Sequence, residues 1–247
     1  AFGDKNKASG ASISAPNASD FTWETVVTKN IGLDLGLLNN RLNMTADIYV
    51  RDTKDMLMAS KDLPNVYGAS SPKTNAANLR TKGWEASISW NDSFNLKGKA
   101  FHYSVVLGLA DNTTKVTKYN NDNKTLGTPY EGQQLGEIWG YVVDGLFKTD
   151  EEAENYPVNQ SYVNNILNIS VKSQGLHAGD VKYVDLDGDN IISPTLSAND
   201  VKDQKVIGNS LPRYTYSVRL AADWNGIDFS ALLQGVGRQH WYPNGET

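Results

Sequence analysis

The chain has 247 residues, 23 basic against 28 acidic side chains for a formal charge of −5, and 39% hydrophobic content at a mean hydropathy of −0.47. That balance leaves no broad basic surface expected for nucleic acid or anionic lipid, and zero Cys excludes disulfides, thiol nucleophiles and thiolate metal sites. No run approaches the about 20 apolar residues of a membrane helix, but low hydropathy leaves a membrane barrel open, since only alternate strand residues there face lipid.

Residues 1–20 are rich in Ala, Ser, Asn and Gly, carry no periodicity and read as loop; the first strand is expected to begin near Phe21 or Trp23. No N-terminal stretch has signal-peptide form, so an exported protein would have a signal already removed or lying outside this sequence. Ile31, Leu33, Leu35 and Leu37 then alternate with Gly32, Asp34 and Gly36. After Leu38-Asn39-Asn40-Arg41, a tight hairpin turn, Leu42, Met44, Ala46, Ile48 and Val50 oppose Asn43, Thr45, Asp47, Tyr49 and Arg51. A polar connection with Pro64 and Pro72 covers 52–78. Trp84, Ala86, Ile88 and Trp90 alternate next, followed by a turn from Asn91-Asp92-Ser93 to Lys97-Gly98 and by Phe101, Tyr103, Val105, Leu107 and Leu109. About 100 residues later come Tyr214, Tyr216, Val218, Leu220, Ala222 and Trp224, an Asn225-Gly226 hairpin turn, and Ile227, Phe229, Ala231 and Leu233.

Period-two alternation marks strands with one apolar and one polar face. Each run matches the length of a membrane-crossing strand, roughly 9–11 residues. The links alternate short and long, as in barrels with short periplasmic turns and long extracellular loops. Trp90, Phe101, Tyr103 and Trp224 then fall near the periplasmic edge, and Trp84, Tyr214 and Tyr216 near the outer edge, as two aromatic girdles. Six strands cannot close a large barrel, so the chain is expected to belong to a longer protein.

Several strings carry a family resemblance: Trp23-Glu24; Asn30-Ile31-Gly32-Leu33-Asp34; Asp47-Ile48-Tyr49-Val50-Arg51 with Thr53-Lys54-Asp55-Met56-Leu57; Asn78-Leu79-Arg80-Thr81-Lys82-Gly83-Trp84-Glu85. They continue with Gly136-Glu137-Ile138-Trp139-Gly140-Tyr141, Asp144-Gly145-Leu146-Phe147, Gly179-Asp180-Val181-Lys182-Tyr183 and Val206-Ile207-Gly208-Asn209-Ser210-Leu211-Pro212. In order, from about residue 21 to 240, they resemble the barrel of the SusC/RagA group of TonB-dependent transporters. The resemblance implies an all-β fold, a segment of a large antiparallel transmembrane β-barrel of about 22 strands in the full protein, with long extracellular loops. Strands are expected near 22–38, 41–52, 79–91, 100–112, 213–224 and 227–239, with a large extracellular loop at 113–212 and the plug domain absent from residues 1–247. It also implies a multi-pass protein of the cell outer membrane, in contact with outer-membrane lipid. Its barrel would import oligosaccharides or peptides beneath a SusD-like surface lipoprotein, driven by TonB through a region outside this chain.

Asp185-Leu186-Asp187-Gly188-Asp189-Asn190-Ile191 places carboxylates at alternate positions of a tight turn, a pattern that converges on Ca²⁺ or Mg²⁺ in EF-hand-like loops. Asn190 stands where such loops have Gly, and Leu196, at the position of the closing acid, cannot coordinate. In the resembling family an acid shortly precedes the Val-Ile-Gly string, which points to Asp203, with Asp200 the other candidate. The bland reading is a solvated Asp/Gly-rich turn.

Six polar-face charges (Asp34, Asp47, Arg51, Glu85, Arg219 and Asp223) could touch a plug or a passing solute, but are expected instead to pair across strands, since charges sharing a sheet face are neutralised that way. Loop aromatics Tyr119, Tyr130, Trp139, Tyr141, Phe147, Tyr156 and Tyr162 could stack on sugars, but Trp139, Tyr141 and Phe147 fit the loop's own core. Thr149-Asp150-Glu151-Glu152 reads as a capped helix start. Enzyme readings are poor: His102, His177 and His240 are scattered and no Gly-x-Ser-x-Gly turn occurs. The alternative from another class is a soluble carbohydrate-binding β-sandwich with a structural calcium, which would bury the apolar face against a second sheet.

Overall fold

The computed structural model describes residues 22–59, 72–166 and 176–242. The loop expected at 1–20, a strand start at Phe21, and Pro64 lie outside the described residues. Six long strands form one antiparallel sheet: β1 (Thr25–Leu37), β2 (Leu42–Ala59), β3 (Lys73–Leu96), β4 (Lys99–Lys118), β9 (Arg213–Trp224) and β10 (Ile227–Arg238), in the order β1-β2-β3-β4-β9-β10. The sheet is open, with β1 and β10 at its edges.

The turns explain the hairpins. Leu38, Asn39 and Asn40 all take left-handed φ values of 55°, 56° and 62°, and Asn225-Gly226 does so at 51° and 84°. Such turns match the twist of the flanking strands. The β3–β4 turn is shorter than the sequence suggests: β3 runs on to Leu96, and only Lys97 (φ 51°) and Gly98 (φ 82°) reverse the chain. At the other rim the strands also outrun the alternating stretches. β2 continues to Ala59 and β3 starts at Lys73, so much of the stretch read as a 52–78 connection is paired strand. A register shift at Asp55 (φ 58°) interrupts this extension, in which polar Asp52–Asp55 is followed by the unbroken apolar run Met56-Leu57-Met58-Ala59, so a period-two signal is lacking.

Register puts the apolar residues in continuous rows. Ile31, Ile48 and Trp84 are mutual neighbours, as are Leu35, Met44, Ile88, Leu107, Val218 and Leu233. Among the described residues no second sheet covers this face: Ile31 is 73% exposed, Leu33 57% and Phe229 59%. A sandwich would bury these side chains, so the face is not a sandwich interior. Along β3 it runs from Phe94 to Trp84, about 33 Å of strand at about 3.3 Å per residue, or about 25 Å of height at a tilt of about 40°.

Residues between β4 and β9 fold into a subdomain at the long-loop rim. β5 (Glu137–Tyr141) pairs with β8 (Gln204–Asn209), and β6 (Val143–Leu146) with β7 (Val181–Tyr183). Two short helices, α1 (Asp150–Glu154) and α2 (Ser161–Ile166), lie between β6 and β7. Thr149 caps α1 by accepting from Glu152 N at 3.1 Å, and Glu152 reaches back to Lys148 N at 2.9 Å, a reciprocal cap. Phe147, Ile192, Val163 and Ala153 are buried. Tyr156 packs edge-on against Phe147 with ring centroids 5.0 Å apart, and Tyr141 packs against Tyr183 at 5.6 Å. Of the three aromatics expected in this core, Phe147 is fully buried while Trp139 and Tyr141 are partly so.

Candidate functional site

Three regions of this fold can do chemistry: the polar sheet face, the rims of the apolar face, and the acidic loop of the subdomain. On the polar face, Asp47 lies opposite Gly32 on one side and Glu85 on the other, so two carboxylates are cross-strand neighbours. Arg51 sits between Thr28 and Thr81, Arg219 between Val106 and Leu232, and Asp223 between His102 and Asp228. Among the described residues none of Asp34, Asp47, Arg51, Glu85, Arg219 and Asp223 forms an ion pair. The expected cross-strand neutralisation is therefore not what the sheet does. Register aligns like with like at Asp47/Glu85 and Asp223/Asp228, with Asp47 half-buried and Glu85, Asp223 and Asp228 exposed. Gly83 serves this face too: it has no Cβ where the Tyr49 ring crosses it. The Arg51 guanidinium stands 5.9 Å from that ring's centroid.

The apolar face ends in aromatics at both rims. At the short-turn rim Phe94, Phe101 and Tyr103 cluster with ring centroids 5.0–6.3 Å apart, Trp90 Nε1 donates to Tyr103 Oη at 3.2 Å, and Trp224 lies opposite Phe101. Trp84, Tyr214 and Tyr216 mark the long-loop rim. There Asp111 is buried and accepts both Nε and Nη2 of Arg213, a bidentate pair at 2.5 Å. Arg213 also lies 5.3 Å from the Tyr214 ring centroid.

The acidic loop follows β7. Asp185, Asp187 and Asp189 each offer an oxygen within 4.8 Å of the others. The turn that gathers them is backbone-templated: Asp185 accepts from Gly188 N at 2.7 Å and Asn190 N at 2.8 Å, and Asp189 accepts from Ile191 N at 2.8 Å. Asn190 holds φ 63°, the left-handed conformation that Asn tolerates. Burial opposes ionisation of Asp185, yet the amides of Asn190, Gly188 and Asp189 outweigh it and hold the carboxyl below the usual range. Lys202 Nζ lies 3.3 Å from Asp187 Oδ2, and hydrogen bonding to that carboxylate, with the nearby Asp200 charge, pushes the ammonium pKa up. Asp203 is fully buried (0% exposed) and accepts from Leu186 N at 2.8 Å and Ser193 N at 2.7 Å, so its two oxygens tie the loop's two ends together. Asp200 contacts Lys202 at 3.7 Å and is largely exposed, as is Leu196. The donor set suits a hard cation: three convergent carboxylates on a shaped turn, with Lys202 as the competing cation.

The three histidines lie apart: His102 is in β4, His177 sits beside Asp150, and His240 packs on Gly208 with Nδ1 accepting from Asn209 N at 3.2 Å. Sequence reasoning missed the Asp111–Arg213 pair, whose members are 102 residues apart and whose strands meet only in the sheet.

A two-faced antiparallel sheet with an uncovered apolar band, aromatic rims, tight turns at one end and a large subdomain at the other is a wall of an outer-membrane-type β-barrel. Residues 2–247 match the family model for the TonB dependent receptor-like β-barrel, and the chain belongs to that outer-membrane family. It is 30% identical over 245 residues to TonB-dependent receptor P39 of Formosa agariphila, covering 87% of this chain and 22% of that protein. It is 26% identical to receptor P3 of the same organism, covering 86% of this chain and 20% of that protein. Among solved structures it is similar to the RagAB peptide importer in its open-open state, at TM-score 0.62 and 21% identity over 90% of this chain and 21% of that one. A second RagAB peptide transporter structure matches at TM-score 0.60 and 19% identity, over 87% of this chain and 21% of that one. The chain thus spans about a fifth of the length of the relatives it matches.

Proposed function

We propose that this chain forms part of the wall of a multi-pass outer-membrane barrel that imports oligosaccharides or peptides under the drive of TonB. TonB would act through a region outside this chain, and a SusD-like surface lipoprotein would cover the long-loop rim. The observation that carries the reading is the continuous apolar face of six strands, backed by a polar face of exposed charge, in a chain of the TonB-dependent receptor family. In such a wall the apolar side chains meet lipid while Asp47, Arg51, Glu85 and Arg219 face the lumen, as contacts for the plug or for a passing solute. The test is uptake of labelled oligosaccharide and peptide pools by cells carrying or lacking the intact receptor. Loss of one pool on deletion, and again when TonB coupling is broken, supports import; unchanged uptake of every pool contradicts it.

The same reading includes Ca²⁺ or Mg²⁺ at the acidic loop, with Asp185, Asp187 and Asp189 as ligands and Asp203 closing the loop behind them. The cation would stiffen the loop and take no part in chemistry. Because Lys202 pairs with Asp187, Lys202→Gln should tighten Ca²⁺ binding to the intact receptor by calorimetry, and Asp187→Asn should weaken it. No heat of binding in either the parent or Lys202→Gln would discard the cation.

A further inference from the structure

The two ends of the apolar face carry different charge. At the short-turn rim Asp92 is paired with Arg41 at 3.4 Å, and Lys97 of the turn and Lys99 are two further cations, with Asp223 and Asp228 at the same rim by register on the polar face. At the long-loop rim, register places Lys29, Val50, Lys82 and Thr113 in one row directly above Ile48 and Trp84. The next row holds Val27, Asp52, Arg80 and Lys115, and Lys54 stands above it opposite Thr25. Among the described residues the acids on this face of the rim are both taken, Asp52 by Arg80 at 2.6 Å and Asp111 by Arg213, while Glu24 and Asp55 stand at the same rim by register on the other face. Lys29, Lys54, Lys82 and Lys115 are all exposed, and none forms an ion pair among the described residues. Four lysines outside any ion pair among the described residues, on one rim of a chain whose net charge is −5, are a local excess of positive charge, not a reflection of composition.

We propose that this lysine belt binds phosphate-bearing headgroups of anionic lipid in the leaflet on the long-loop side. The proposal rests on the reading that the apolar face meets lipid. Consecutive rows of a strand face are about 6.6 Å apart, so Lys29 and Lys82 stand one row from the apolar band. A lipid phosphate at that depth meets the ammonium groups while its acyl chains lie on Ile31, Ile48 and Trp84; a soluble anion would use the charge and leave the band unused. Long lysine stems suit this position, since they lie along apolar surface and deliver the ammonium to the interface. Each basic side chain near an anionic lipid surface is worth about fivefold in binding.

The experiment uses the intact receptor in neutral detergent, titrated with diphosphoryl lipid A or its dephosphorylated counterpart, with retained lipids counted by native mass spectrometry. The parent should retain the phosphorylated lipid preferentially, and Lys29→Gln/Lys82→Gln should weaken that retention about 20- to 30-fold while leaving the dephosphorylated lipid unchanged. Equal retention of both lipids by the parent, or no loss in the variant, overturns the proposal. Displacement of the lipid by millimolar inorganic phosphate also overturns it, by showing a free-anion site. The part of the tryptophan quenching by brominated acyl chains that is lost in Trp84→Phe reports separately on the apolar band. Quenching without phosphate selectivity sinks the headgroup proposal alone, whereas no quenching sinks the membrane reading beneath it.

Discussion

Asp203 is the side chain on which the acidic loop depends most, and its removal has a calculable cost. One oxygen accepts from Leu186 N and the other from Ser193 N, at 2.8 and 2.7 Å, with no exposed surface to admit water. A buried amide left without its acceptor costs about 1–3 kcal/mol. Asp203→Ala orphans two such amides, which at about 1.5 kcal/mol each costs the loop about 3 kcal/mol. With 1.36 kcal/mol per decade, that raises the loop's opening constant about 150-fold. Amide hydrogen exchange of the intact receptor, read on peptides covering 181–206, should show at least about hundredfold faster exchange at Leu186 and Ser193. Asp203→Asn should fall between, because its amide keeps one acceptor and turns an N–H donor toward the other amide. Asp200→Asn is the control: its side chain is 76% exposed, and exchange should not change. Protection at Leu186 and Ser193 preserved within about threefold in Asp203→Ala would refute the idea that this carboxylate holds the loop.

Four further outcomes follow from the same geometry. Ile88→Arg places a charge in the middle of the apolar band and should destabilise the barrel in lipid by about 2–4 kcal/mol, whereas Ser87→Arg on the polar face should cost far less, measured by urea unfolding in vesicles. Arg213→Leu leaves the Asp111 carboxylate buried without its bidentate partner and should cost about 3–5 kcal/mol; the Asp111→Leu/Arg213→Leu double variant should recover much of that in the same assay. Tyr141 Oη is buried without a hydrogen-bond partner among the described residues, and burial pushes its pKa up to about 12. Tyr141→Phe should thus be neutral or stabilise the subdomain by about 1 kcal/mol, and a clear loss of exchange protection would contradict this. Asp185 has a depressed carboxyl pKa in the fold, so its contribution is full above the unfolded value of about 3.9 and is lost as pH falls through the lower folded value. Exchange at Gly188 and Asn190, corrected for intrinsic rates, should accelerate between pH 5 and pH 3 in the parent and be pH-independent in Asp185→Asn.

What could be read from the chain was the part that a membrane dictates. Between Leu42 and Val50, or Trp84 and Trp90, every second side chain is apolar because lipid demands it, and that demand leaves a period of two. Beyond the band the demand ends: Lys73, Thr74 and Asn75 put polar groups on both faces and Met56, Leu57 and Met58 put apolar ones on both, so β2 and β3 outrun their alternating stretches unannounced. The subdomain hid for a related reason. β6 and β7 have four and three residues, too short for a periodic signal, and they pair across both helices. At the acidic loop the alternate carboxylates and the left-handed Asn190 were legible because they are local, as was the Thr149 cap. The structural role of Asp203 was not, since it depends on two amides reached only when the chain folds back. Cross-strand neutralisation on the polar face fails because register sets which charges meet, and it aligns Asp47 with Glu85.

The most direct test of the account is spin-label accessibility along β3 in the intact receptor in bilayers. Labels at 86 and 88 should be reached by oxygen and shielded from a polar nickel complex, whereas labels at 87 and 89 should lack the oxygen preference, giving a period of two across Ala86–Ser89. Uniform accessibility, or oxygen preference at 87 and 89 instead, would contradict the placement of this sheet as a barrel wall with its apolar face in lipid.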